Sequence, residues 1–283
     1  GFNRMSLGLW LTDLIKNFFV SSLIGLPLIA TVLWLMGAAG ATWWLWAWGA
    51  WVIFNLLLMV IYPIWIAPLF NKFQPLEDET LKERVQALMQ RCGFAAEGLF
   101  VMDGSKRSAE SNAYFTGLGK AKRVVFYDTL LARLSHDELE AVLAHELGHF
   151  HHRHLRKSLI SIFAMTLAGF AALGWLSMQP AFFVGLGVTP NAALPNDALA
   201  ILLFLLVIPT VSPLIEPIWS AASRRHEFEA DAYAKQQASA PALVQALVKL
   251  TEDNAVTLTP DPVYVRFHYS HPPMLERIAA LES

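Results

Sequence analysis

Charge is what this sequence has least of. Only 16% of its 283 residues are Asp, Glu, Lys or Arg, against roughly 25% in ordinary soluble domains, and those few are unevenly placed. None occurs from Asn17 to Asn71, from Ser158 to Asn196, or from Ala198 to Ile215. A transmembrane helix needs about 20 largely apolar residues. The first run therefore holds two spans, broken near Gly37-Ala38-Ala39-Gly40, and the other two hold one each. Buried helices of a soluble enzyme would need an unusually thick core around a small polar remainder. Cysteine is nearly absent: Cys92 alone rules out an internal disulfide and favours a reducing compartment. A net charge of −2 and a pI near 6.5 leave no basic footprint for nucleic acid. No charged leader with a cleavage site precedes the first apolar run. The chain opens on Gly1, and we expect a chain short of its N-terminal part rather than a secreted protein.

What is present is apolar and aromatic. The chain is 55% hydrophobic with 10 Trp and 18 Phe; its mean hydropathy is +0.43. The Trp cluster at Trp43–Trp51 suits a membrane interface. Arg4, Lys16 and Lys72 flank the first apolar hairpin, and Arg153, Arg156, Lys157, Arg224 and Arg225 flank the second, whose tip carries only Asp197. The positive-inside rule places both polar blocks on the cytoplasmic side. The expected organisation is an N-terminal segment with the first helix pair over 1–71, an α+β block over 72–157, the second helix pair over 158–219 and a helical segment over 220–283.

Within the polar blocks, Leu81–Arg91 reads as a helix stopped by Gly93, and Leu99–Met102 as a short strand. Asn112–Thr116 and Arg123–Tyr127 are rich in strand formers and joined through Gly117-Leu118-Gly119-Lys120, which predicts a hairpin. Ser135-His136-Asp137-Glu138 has the form of a capping box opening the next helix. Further helices are expected from Ser220 to about Gln237, over Pro241–Glu252 and over Leu275–Leu281.

The capped helix carries His145-Glu146-Leu147-Gly148-His149. Residues four apart on a helix differ by about 40° around the axis and about 6 Å along it, so His145 and His149 can present imidazoles to one metal ion. Glu146 lies beside that ion, where a carboxylate can take a proton from water. This is the geometry of a zinc peptidase. His151, His152 and His154 form no second pair spaced by four and read as a solvated stretch at the membrane interface, with the histidine helix continuing into the apolar run after Lys157. A third ligand must come from elsewhere. Glu227 and Asp231, four apart in the acidic stretch after Arg224-Arg225-His226, share a helix face; spacing alone leaves them equally readable as ligand and partner or as surface charges. Glu229, on another side of that helix, is expected to tolerate Ala.

At this point the chain resembles the integral-membrane zinc peptidases typified by the type I CAAX prenyl protease, a gluzincin-like family. The resemblance runs through Gly1-Phe2-Asn3, Ala67-Pro68-Leu69-Phe70, Gly104-Ser105-Lys106-Arg107, Asn112-Ala113-Tyr114-Phe115 and Lys122-Arg123-Val124-Val125. It continues through the histidine motif, Glu227-Phe228-Glu229-Ala230-Asp231 and Ser270-His271-Pro272-Pro273. It implies a multi-pass α-helical membrane protein with four transmembrane helices in this chain and a zincin-like α+β metalloprotease domain; family members carry further helices ahead of the Gly-Phe-Asn segment. It implies one Zn2+ on His145, His149 and Glu227, with Asp231 behind a ligand histidine. It gives Asn112 and Ala113 to an edge strand that pairs with extended substrate, His271 to the scissile carbonyl, and Arg277 to the substrate or the His271 loop.

The implied activity is a membrane-embedded zinc endopeptidase, with Glu146 and His271 as its catalytic side chains. Its partners would be membrane lipid and a peptide or protein substrate, lipidated or not, and no nucleic acid. Two alternatives stand beside it. One is a membrane-protein quality-control protease of the same wider family. The other, of a different class, is a metal transporter or scaffold using the histidine cluster, which predicts ionisable residues in the middle of the spans; the three long runs contain none.

Overall fold

In the computed structural model, residues 2–96, 98–116, 122–253 and 257–283 are described. In chain order the helices and strands are α1 (Leu7–Ala38), α2 (Trp43–Ile61), α3 (Ala67–Phe70), β1 (Phe73–Pro75), α4 (Glu79–Arg91), β2 (Gly98–Met102), β3 (Ala113–Thr116) and β4 (Arg123–Tyr127). They continue with α5 (Asp128–Arg133), α6 (His136–His151), α7 (His154–Leu176), α8 (Pro180–Gly185), α9 (Asp197–Gln237), α10 (Ala240–Asp253), α11 (Pro262–His268) and α12 (Met274–Glu282). The chain divides into two compact units. One comprises Gly1–Asp13, Val60–Leu155 and Glu216–Ser283; the other comprises Leu14–Met59 and Arg156–Ile215.

The second unit is built from the charge-free runs. Four helices are long and apolar enough to cross a membrane: Leu7–Ala38, Gly40–Phe70, His154–Leu176 and Asp197–Gln237. Only 6–11% of the residues in their most apolar stretches are buried, so their large side chains face outward, as with Leu23 and Leu214, each 77% exposed. Water would penalise that surface and lipid would not. The break expected at Gly37–Gly40 is a single turn at Gly40–Thr42, with Gly40 at φ +61°. Inside the unit, Met36, Trp43, Ala47, Leu173, Phe183, Ala200 and Leu203 pack together, and the indole N–H of Trp48 donates to the Phe163 carbonyl at 3.0 Å.

The first unit is α+β. Its four strands run in the order β1-β2-β4-β3, with β2 and β4 parallel and the outer pairs antiparallel. The central β4 buries Val124, Val125 and Phe126, the apolar run expected of a strand covered on both faces. The β3–β4 pairing meets the hairpin expectation; its connection, residues 117–121, lies outside the described residues. One edge of β3 pairs with β4 through Ala113↔Phe126 to Thr116↔Arg123, and β3 ends the sheet. Strand β1, too short and too close to proline to read from the sequence, closes the opposite edge.

Helices α4, α6, α10 and α12 complete one core with the sheet. Asp78 caps α4 by accepting from the Leu81 N–H at 2.9 Å, and Gly93 leaves it at φ +64°. The capping box on α6 is formed in both directions by Ser135 and Glu138. Leu139, Leu143 and Leu147 put one stripe of α6 into the core. His145 and His149 stand about 140° around the axis from that stripe. The N-terminal motif is a structural clamp. The Ala109 N–H donates to the Phe2 carbonyl and the Arg4 N–H to the Arg107 carbonyl, while the Arg107 guanidinium forks onto Asp13 at 2.8 and 3.1 Å.

Two sequence expectations are corrected here. The histidine helix does not run on into the membrane: α6 ends at His151 and α7 starts at His154, because Arg153 takes a left-handed conformation with φ +56°. And no helix begins at Ser220, since α9 is continuous for 41 residues from Asp197.

Candidate metal centre

Helix α6 brings two donors and α9 the third. His145 Nε2 and His149 Nε2 lie 3.2 Å apart. Glu227 places Oε2 3.5 Å from His145 Nε2 and Oε1 3.4 Å from His149 Nε2. A tetrahedral ion with ligand bonds of about 2.0–2.1 Å needs neighbouring donors about 3.3 Å apart. The histidine pair matches that edge, and Glu227 turns one oxygen toward each ring at a similar distance, so the residues present fit a zinc-sized ion. Their ligand atoms form the metal-competent group found among the described residues.

Close crossing of the helices is what allows this spacing. A Cβ on Gly148 would lie 2.8 Å from Ala230 Cα and 3.0 Å from its carbonyl oxygen. Gly148 precedes His149, and Ala230 sits three residues after Glu227. The short glycine lets the α6 backbone touch α9.

The remaining ring nitrogens are also held. The His145 Nδ1–H donates to Asp231 Oδ1 at 2.8 Å, which leaves Nε2 as the lone-pair donor and raises its basicity. Asp231 is itself gripped by Arg277, through Nε at 2.7 Å and Nη2 at 2.6 Å. The resemblance implied that Arg277 serves the substrate or the His271 loop. Here its guanidinium is buried, occupied by Asp231 and 3.4 Å from Glu227. Burial alone would lower the pKa of His145, but hydrogen bonds to Asp231 and Glu227 outweigh it and lift the pKa to about 9. The same negative field favours a cation among the three donors. Burial pushes the half-buried Glu146 carboxyl above its ordinary range, with His145 and His149 pulling the other way.

His271 is mostly exposed and turns Nε2 to within 3.6 Å of Glu227 Oε1; Ser270 Oγ lies 3.0 Å from its Nδ1. Asn112 is exposed one residue before β3, and its carbonyl accepts from the Tyr127 N–H at 2.9 Å. Ala113, the first residue of β3, is buried. Strand β3 is tied to the histidine helix by ring contacts, with Phe115 and Phe150 centroids 5.2 Å apart.

Sequence reasoning missed His154 and Glu229. His154 is 4% exposed, not a solvated interface residue. Its Nδ1 lies 3.0 Å from His149 Nδ1 and its Nε2 2.9 Å from Glu229 Oε2. The signal was a histidine five residues after His149, which spacing by four discards.

Residues 75–283 match peptidase family M48. The chain belongs to that family. Residues 1–72 match the CAAX prenyl protease N-terminal region, described as five membrane helices. The whole chain aligns with the CAAX prenyl protease 1 homolog of Oryza sativa subsp. japonica at 38% identity, covering 66% of that protein. It aligns with CAAX prenyl protease 1 of Saccharomyces cerevisiae at 37%, covering 65%, and with the Homo sapiens homolog at 32%, covering 67%. The crystal structure of S. mikatae Ste24p superposes with a TM-score of 0.92 at 35% identity, over 100% of this chain and 68% of that one. The chain thus spans about two thirds of the length of the relatives it matches. It is an integral-membrane member of a metallopeptidase family, with a donor set able to hold the metal.

Proposed function

We propose that this protein is a membrane-embedded zinc endopeptidase whose active site opens to the cytoplasmic side and which cuts peptide bonds near the C-terminus of a lipidated chain. The observation that carries the reading is the His145–His149–Glu227 triangle with Glu146 beside it. Zinc held by those three residues would supply Lewis acidity and bring the pKa of a bound water toward ~7.

The side chains then divide the work. Glu146 takes the proton of the attacking water, for which its burial-raised pKa suits it, and returns a proton to the leaving amine. His271, exposed and with Nε2 3.6 Å from Glu227 Oε1, donates to the developing oxyanion. The end strand β3 pairs its backbone with an extended substrate, and Asn112 adds a side-chain hydrogen bond. Asp231 fixes the tautomer of His145, with Arg277 bracing Asp231 rather than touching substrate. The basic residues flanking both apolar hairpins support the cytoplasmic orientation. The match to proteins named CAAX prenyl protease supports a prenylated substrate.

Glu146→Gln tests the mechanism. Zinc should stay stoichiometric by metal analysis while turnover falls by about 10²–10⁴. Loss of zinc would mean that Glu146 is a ligand, and retained turnover would sink the peptidase mechanism. Cleavage of one peptide with and without a C-terminal isoprenoid tests the substrate class.

A further inference from the structure

The two ligand histidines are steadied differently. His145 meets a carboxylate directly, whereas the outer nitrogen of His149 meets another imidazole, that of His154, at 3.0 Å. Two ring nitrogens at that distance need one hydrogen between them. With His149 Nε2 turned to the metal, its Nδ1 carries the hydrogen and donates to His154 Nδ1. The hydrogen of His154 then sits on Nε2, which faces Glu229 Oε2 at 2.9 Å. Glu229 Oε1 in turn accepts from Arg225 Nε at 2.9 Å. Every donor meets an acceptor in this direction.

A regular helix could not make this contact. A residue five beyond His149 would lie about 140° around the axis and about 7.5 Å along it, out of reach of the His149 ring. The left-handed Arg153, a conformation that residues with a side chain seldom adopt, ends α6 and turns α7 so that His154 comes back onto His149. His154 is buried, with the His226 ring stacked on it at 4.0 Å and 16°.

We infer that His154 is a positioning residue for the metal centre, relaying a hydrogen bond from His149 to Glu229 and so fixing the tautomer and orientation of the second ligand histidine. This rests on the zinc reading above. It also replaces the expectation that Glu229 tolerates Ala, since Glu229 orients the relay from its far end.

Zinc affinity of the full chain, measured by chelator competition, tests the inference through His154→Asn, His154→Gln and His154→Phe, with melting of each metal-stripped variant as a check on folding. The Asn side-chain oxygen falls where Nδ1 was and can still accept from His149; the Gln amide reaches only the Nε2 position, and Phe keeps only the shape. His154→Phe and His154→Gln should lose about 10- to 100-fold in affinity, and His154→Asn should recover to within about threefold of the parent. If the ring merely packs, Phe should hold zinc better than Asn, and that order overturns the inference. Should His154→Phe fail to fold, the Asn–Gln comparison decides: equal affinities overturn the relay. A parent chain that takes up no stoichiometric zinc overturns the metal reading and the relay with it.

Discussion

Gly148→Ala puts the crossing of α6 and α9 under test. In an ordinary helix interior this change stabilises by roughly 0.5–1 kcal/mol, because alanine loses less backbone freedom on folding. Here the new methyl would begin 2.8 Å from Ala230 Cα and 3.2 Å from its Cβ. Carbon atoms settle at about 3.5–4.0 Å, so the helices must part by about 0.7–1.2 Å. Metal–ligand distances tolerate only about 0.2 Å, and the movement falls on the 3.4 Å gap between His149 and Glu227. Overpacking costs about 1–3 kcal/mol. If the metal-bound state carries that cost, zinc affinity drops about 5- to 150-fold, at 1.4 kcal/mol per factor of ten. The assay is chelator competition beside a thermal melt. Gly169→Ala in α7, where an added Cβ meets nothing within 4 Å, is the control and should leave affinity unchanged. A Gly148→Ala protein that binds zinc within threefold of the parent and melts no lower would refute the tight-crossing argument.

Two further outcomes follow from the same geometry. His271→Ala should act mainly on kcat, by about 2.7–4 kcal/mol if it behaves as other oxyanion donors do, while Asn112→Ala should change both KM and kcat; steady-state kinetics on one peptide separates them, and an undiminished kcat in His271→Ala would remove His271 from the reaction. At Glu138, burial alone would raise the carboxyl, but the Lys249 ammonium and the Ser135 N–H outweigh it and hold its pKa below the ordinary 4.5. Stability from this group is therefore fully present above about 4.5 and lost as pH falls toward the depressed folded value. Glu138→Gln should flatten that acid-side slope in melting curves taken across this range, and an unchanged slope would exclude Glu138 as its source.

The sequence made the spans legible because lipid imposes a long, charge-free run that nothing else requires. It made His145, Glu146 and His149 legible because helical spacing alone brings them together. Glu227 and Asp231 were ambiguous by spacing, since whether a helix face is a surface or a ligand wall depends on what crosses it, here Gly148 against Ala230. The parallel pairing of β2 with β4 is non-local and leaves no periodic trace. The left-handed Arg153 was hidden for a different reason. Glycine announces that conformation and arginine does not, so the helix read as continuous and His154 as exposed. The burial of Arg277 likewise depends on where α12 docks, which no local pattern encodes.

The metal centre is also spread out in time. His145 and Arg277 stand 132 residues apart along the chain, and Asp231 between them makes contact with both. During synthesis at about 5–20 residues per second, roughly 7–26 s separate the first of these residues from the last. His145 therefore waits for Asp231 through the first 86 of those residues, and for the Arg277 brace on Asp231 through all 132. A donor set assembled in this order lacks part of its support until α12 is made and Arg277 reaches Asp231.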